Sequence, residues 1–205
     1  MLEFDKDTHT YRYEGRVVPH VTGALQALQD YAGVPEAVLK RKAEIGDAVH
    51  YATELYDKGT LDMMSLPEVL LGYIQGYACF VRDTQFVPLY TECRVHDPVL
   101  GYAGTFDRIG HLKKATRVSP TTRVLIDYKA TYTILPAVGP QTAAYMQAWN
   151  KAHKDEKVTR RFALQLKPDG TYRLQEQNDP YDFAVFTSSL TLLNWKRRHY
   201  PKEND

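Results

Sequence analysis

The chain has 205 residues and a mass of 23.5 kDa, one large domain or two small ones, long enough to bury roughly 70% of its unfolded surface. With 43% hydrophobic and 25% charged residues, it is not disordered, collagen-like or disulfide-dense. No apolar run approaches the ~18 residues of a membrane span, and the acidic opening Met1 to Asp7 lacks the apolar core of a secretory signal. Cys79 and Cys93 alone supply neither a disulfide framework nor a four-cysteine zinc or iron-sulfur site. A reducing, cytoplasmic setting is therefore expected.

The net charge of +1 hides an asymmetry: residues 1–107 carry 9 Lys and Arg against 16 Asp and Glu, and residues 108–205 carry 17 against 9. The basic half either offers a surface to a polyanion or reflects ordinary uneven scatter.

In chain order, Thr8 to Tyr13 alternates polar and aromatic residues, meets Glu14 and Gly15 and resumes at Arg16 to Val18, which predicts a short hairpin serving as a lid or edge. Val38, Ile45, Val49, Ala52 and Tyr56 form the stripe of an amphipathic helix from Pro35 to about Tyr56, with His50 beside it. Ser65, Pro67 and Glu68 have the form of a capping box opening a second helix to about Asp83. The first 84 residues are thus expected to be mainly helical.

Then the period changes. Phe86 to Val95, Gly101 to Leu112 and Arg123 to Ala130 are rich in β-branched and aromatic residues and predict three consecutive strands, the last two joined by the polar stretch Lys113 to Thr122. A helix follows Pro140 to about Lys151. Arg161 to Leu166 and Thr171 to Gln175 flank a turn signal at Lys167 to Gly170, and Asp179 with Pro180 reads as the N-cap of a closing helix ending in Lys196, Arg197 and Arg198. This order predicts an α/β fold with a central mixed β-sheet flanked by helices.

On the strand Val124 to Ala130, alternation puts Asp127 and Lys129 on one face and Ile126 and Tyr128 on the other. Two charges ending an apolar strand cost several kcal/mol unless a partner or metal compensates, although a strand end facing solvent would tolerate them. Asp107 lies 20 residues earlier, on what should be the neighbouring antiparallel strand, so the two carboxylates can meet. Such a pair calls for a divalent cation with oxygen ligands, Mg²⁺ or Mn²⁺. The plainer alternative pairs Asp107 with Arg108. Gln141 and Tyr145, four apart, share a helix face, and taken alone Tyr145 reads as a core aromatic.

Taken together, Gly46 with His50, Gly104 with Asp107, Asp127 with Lys129, and Gln141 with Tyr145 resemble, in order, the pattern of the RecB-like exonuclease branch of the PD-(D/E)XK nuclease superfamily. The resemblance covers roughly residues 40–166. The stretch Ile126 to Asn150 is similar to phage exonucleases and to the mitochondrial genome-maintenance exonuclease, and Phe4 to Tyr11 and Val18 to Thr22 are similar to the openings of phage members. Ala130 stands where a threonine often follows the lysine. The resemblance implies a restriction-endonuclease-like core over residues 85–205 behind a mainly helical segment at residues 1–84, together one nuclease domain.

It also implies a site. His50, Asp107, Asp127 and the backbone carbonyl of Tyr128 would hold Mg²⁺ or Mn²⁺, without an iron-sulfur cluster. Lys129 would orient the attacking water, and Glu92 would support the metal or hold a second one. Gln141 and Tyr145 would grip the strand. The implied activity is a metal-dependent DNA exonuclease working from free single-stranded ends in phage or prophage replication, recombination or end processing, alongside phage recombination or replication proteins. An endonuclease on the same fold, or an inactive nucleic-acid-binding module, are the alternatives.

Overall fold

A computed structural model of the protein describes residues 1–29, 33–114 and 117–200. Residues 115 and 116 of the expected polar connection lie outside that set. Five strands make the central sheet in the spatial order β4 (Phe86–Asp97), β5 (Tyr102–Leu112), β6 (Arg123–Lys129), β7 (Arg160–Leu166) and β8 (Tyr172–Glu176). Of these neighbours only β6 and β7 run parallel, and their connection contains α4 (Val138–Ala152), as a parallel pair requires. The mixed α/β architecture read from the sequence is the one observed.

Alternation along the strands divides the core between the two faces. Val124, Ile126 and Tyr128 pack with Val49, Leu70, Tyr77 and Phe80 of α2 (Glu36–Asp57) and α3 (Glu68–Thr84). Leu125 turns the other way, into a cluster with Ala144, Ala148 and Trp149 of α4 and Phe186 and Leu190 of α5 (Asp182–His199). Asp127 and Lys129 share the parity of Leu125 and so face α4. No helix of the described residues is long and apolar enough to cross a membrane.

The N-terminal hairpin is larger than expected. A further strand, β1 (Leu2–Asp5), joins β2 (Thr10–Tyr13) and β3 (Arg16–Val18) in an antiparallel sheet, with Glu14 and Gly15 at positive φ in the two-residue turn between Tyr13 and Arg16. This sheet is an edge element docked on the start of β5. Tyr11 OH lies 2.7 Å from Thr105 Oγ1, and the Ala103 N–H donates to the Pro19 carbonyl at 2.9 Å. Beyond β3, His20 caps the short α1 (Val21–Ala24), its Nδ1 accepting the Gly23 N–H at 3.1 Å.

Three helix starts depart from the reading. Ser65 does not cap α3: its hydroxyl donates to the Asp62 carbonyl and Pro67 stands at the N-cap. Pro140 lies inside the first turn of α4, which opens at Val138, where a missing N–H costs nothing. Asp179 accepts the Tyr181 N–H in a turn, and the cap of α5 is Tyr181.

The His20 cap gives a pH prediction. Burial, then the nearby charges of His9 and Arg197, push its pKa down to about 4 from 6.5. The unfolded chain therefore binds the extra proton, and His20 contributes stability above about pH 6.5 that is lost as the pH falls toward 4. Denaturation at pH 7 and 5 should show about 1 to 2 kcal/mol lost through His20, and His20→Asn, which caps without titrating, should remove that component.

Candidate active site

At the level of Asp107 the ladders of β4 with β5 and of β5 with β6 are in one row. Thr91 pairs with Arg108 and Cys93 with Phe106, which sets Glu92 opposite Asp107, and the β5–β6 pairing ends at Arg108 with Ile126, the neighbours of Asp107 and Asp127. Three carboxylates thus sit on three adjacent strands. Glu92 has φ 48°, in the left-handed region, a conformation that costs a non-glycine residue about 1–3 kcal/mol and survives where its surroundings enforce it. The alternation of β5 breaks at the same level, since Phe106 and Ile109 both enter the α4 and α5 side of the core.

His50 comes from α2, beside the buried Val49. Its Nδ1 is 3.4 Å from Asp107 Oδ1 and 3.7 Å from Glu92 Oε1, and ligand atoms of the three side chains lie within 4.8 Å of one another. Asp107 is only 8% exposed, and its Oδ2 accepts the Tyr128 N–H at 2.5 Å. The adjoining pair is built from β6: Asp127, 2% exposed, holds Lys129 Nζ at 2.7 Å on Oδ2 and accepts from Gln141 Nε2 at 3.0 Å on Oδ1. Gln141 Oε1 in turn accepts from Lys129 Nζ at 3.3 Å.

The electrostatics follow from that packing. Burial opposes the imidazolium of His50, but the Asp107 and Glu92 carboxylates outweigh it and raise its pKa to about 10. Burial likewise opposes the charge on Asp107, yet His50, Lys129 and the Tyr128 N–H keep its carboxyl below the usual range. Asp127 goes the other way, up to about 6, because burial and the charge of Asp107 exceed the help from Lys129 and His50. The Asp107 and Glu92 carboxylates thus favour a positive charge at the position of the His50 ring.

One imidazole nitrogen and two carboxylates within reach of one another could hold a divalent cation. Glu92, whose backbone is left-handed, belongs to the cluster with His50 and Asp107, and Asp127 lies alongside, paired with Lys129 and Gln141. Tyr128 meets the site through its N–H; its side chain turns to the other face, where its hydroxyl is 3.0 Å from that of Tyr77.

Gln141 and Tyr145, expected to grip the strand, lie beside the Asp127–Lys129 pair. The Gln141 amide is occupied by Asp127 and Lys129. Tyr145 is 4% exposed and belongs to the core, with its hydroxyl 3.4 Å from Gln141 Nε2. Its ring fills the space above Gly104, where a Cβ would come within 2.6 Å of it. The ring offers no face for stacking, and burial, with Asp127 and Asp107 adding to it, pushes its phenol pKa well up.

Nothing in the sequence signals a role for Asp57, and Arg108 enters the reading only as an alternative partner for Asp107. Arg108 is fully buried; its Nε donates to Asp57 Oδ2 at 2.8 Å and its Nη1 to Glu92 Oε1 at 3.2 Å and to the Asp107 carbonyl at 2.9 Å. It ties the end of α2 to the carboxylate row and braces Glu92 in its strained position. Arg108→Met should cost about 3–5 kcal/mol in urea denaturation, because Asp57 loses a buried cation. Arg108→Lys should recover only a fraction, lacking a planar fork that spans two carboxylates.

Comparison with solved structures shows the same fold elsewhere. A protein of Eubacterium rectale, named provisionally as an exonuclease, superposes at a TM-score of 0.53 over 88% of this chain and 80% of its own, with 14% identity. The structure of SSO0001, at a TM-score of 0.38, 14% identity and 88% and 81% coverage, is too distant to carry an argument. No protein-family model and no curated protein sequence matches the chain.

Proposed function

We propose that the chain is a Mg²⁺- or Mn²⁺-dependent deoxyribonuclease of the RecB-like branch of the PD-(D/E)XK superfamily, acting as an exonuclease on unpaired DNA ends in phage replication, recombination or end processing. The observation that carries this reading is the placing of His50, Glu92 and Asp107 beside the Asp127–Lys129 pair. A binding protein has no use for a buried carboxylate row joined to a tethered lysine. The fold shared with the Eubacterium rectale protein supports it.

His50, Glu92 and Asp107, with Asp127 and the Tyr128 carbonyl adjoining, are the residues that would hold the cation. When bound, it polarises the phosphodiester and lowers the pKa of a coordinated water. Lys129, fixed by Asp127 and Gln141, orients that water and neutralises charge developing on the phosphoryl oxygens. Gln141 is a positioning residue, since it touches both members of the pair, and Tyr145 backs Gln141. His50 must give up its proton to become a ligand, so metal binding releases a proton.

The burial of Asp107 and Asp127 supports the choice of substrate, because a scissile phosphate approaches them only where the strand is unpaired and can be drawn inward. End-labelled linear and closed circular single strands of the same sequence test this. The linear strand should be degraded in Mg²⁺ or Mn²⁺ and the circle should resist. Equal cutting of the circle would replace the exonuclease reading with an endonuclease.

A further inference from the structure

Beyond the carboxylate row, a cavity of about 290 Å³ opens where β6 ends, lined by Lys42, Ile45, Tyr73, Ala130 to Tyr132 and Lys167 to Asp169. Ala130 directly follows Lys129, and Lys42 lies two turns before His50 on α2, so the strand and the helix that carry part of the site also line the cavity, which opens on the α2 and α3 side of the sheet. Its floor is apolar, with Ile45, Tyr73 and Ala130 partly buried.

Both walls are built rather than loose. The Gln165 side chain, 3% exposed, donates through Nε2 to the carbonyls of Thr131 and Tyr132 at 2.8 and 2.6 Å. A buried amide is thus committed to fixing a loop whose Tyr132 side chain is 97% exposed. Opposite, the Lys167 to Gly170 turn presses on α3 at two glycines one turn apart: a Cβ on Gly72 would come within 1.8 Å of the Pro168 carbonyl oxygen, and one on Gly76 within 2.8 Å of that of Thr171. Such backbone contact holds Lys167 at a set position. Lys42 is exposed, and neither lysine is in an ion pair among the described residues. The one acidic lining residue, Asp169, accepts from the Thr171 N–H at 3.0 Å and the Thr171 hydroxyl at 2.6 Å within its own hairpin, and Lys167 acts on it electrostatically without an ion pair.

We infer that this groove holds the unpaired DNA strand next to the scissile phosphate, with Tyr132 stacking on a base and Lys42 and Lys167 contacting the backbone phosphates. The inference rests on the nuclease reading and adds to it a substrate subsite. An exposed aromatic on a fixed loop lining the same cavity as two cations suits the base and phosphate groups of a single strand, and folding has no use for an exposed ring on a loop fixed by a buried amide.

The test measures binding of a fluorescein-labelled single-stranded DNA in EDTA over a range of salt, separately from cleavage in Mn²⁺. Tyr132→Ala should weaken binding about tenfold with the salt slope unchanged, and Tyr132→Trp should keep wild-type affinity. Lys42→Ala and Lys167→Ala should each lower the log–log salt slope by about 1. A strand with abasic positions should bind the wild type and Tyr132→Ala alike. These positions are not core residues, so the variants should fold. If the wild type cuts DNA while all three alanine variants bind like it, the subsite is wrong and the nuclease reading stands. If the wild type neither binds nor cuts DNA, both fall together.

Discussion

Asp107→Asn should leave a folded protein that binds single-stranded DNA in Ca²⁺ yet cleaves it at least about 10³-fold more slowly. The substitution keeps size and an acceptor for the Tyr128 N–H, whereas the charge that faces His50 across 3.4 Å disappears. Among the clustered donors Asp107 is the buried one, so water cannot replace its charge. Asp127→Asn should give a comparable loss by another route, because it releases Lys129 from the 2.7 Å tether. Circular dichroism and thermal melting on the same samples separate lost chemistry from lost folding. Undiminished cleavage by folded Asp107→Asn would falsify the assignment.

Lys129→Ala should lower kcat by about 10²- to 10⁴-fold with little change in DNA affinity, the pattern of a group that acts in the transition state. Its ammonium is held by Asp127 and Gln141, leaving limited freedom to seek a phosphate. A titration gives a second readout. Lys129 helps hold down the pKa of Asp127, which burial raises to about 6. In the metal-free protein, followed by NMR in EDTA, Lys129→Ala should move the titration of the Asp127 carboxyl to higher pH. A loss appearing only as weaker binding would make Lys129 a phosphate contact instead.

Much of this arrangement is legible in the sequence, for an identifiable reason. A strand buried on both faces cannot hide Asp127 and Lys129 as ordinary surface residues, and the two-residue period states which face they share. Helical spacing likewise puts Gln141 and Tyr145 on one side of α4. What escapes is long-range. Nothing near Glu92 announces a left-handed φ, and the bond from Arg108 to Asp57 spans 51 residues. The capping-box pattern at Ser65 fails because the Asp62 carbonyl claims the hydroxyl.

The charge asymmetry has a partly internal explanation. Arg108 and Lys151 from the basic half pair with Asp57, Glu92 and Asp97 of the acidic half, so some of the imbalance is consumed in holding the two segments together. Arg123, Arg160 and Arg161 are also paired, with Glu156, Glu176 and Asp182. Net charge along the chain is therefore a poor guide to the substrate surface, and cations outside such pairs, Lys42 and Lys167 among them, are the better one.

The central claim is that a divalent cation held by His50, Glu92 and Asp107 enables this chain to hydrolyse DNA. The most direct measurement follows a 5′-labelled linear single strand incubated with purified protein in EDTA, Mg²⁺ or Mn²⁺. Short products that need Mg²⁺ or Mn²⁺, vanish in EDTA and are absent with Asp107→Asn are the predicted result. An intact strand in every condition, with a protein that melts cooperatively, would contradict it.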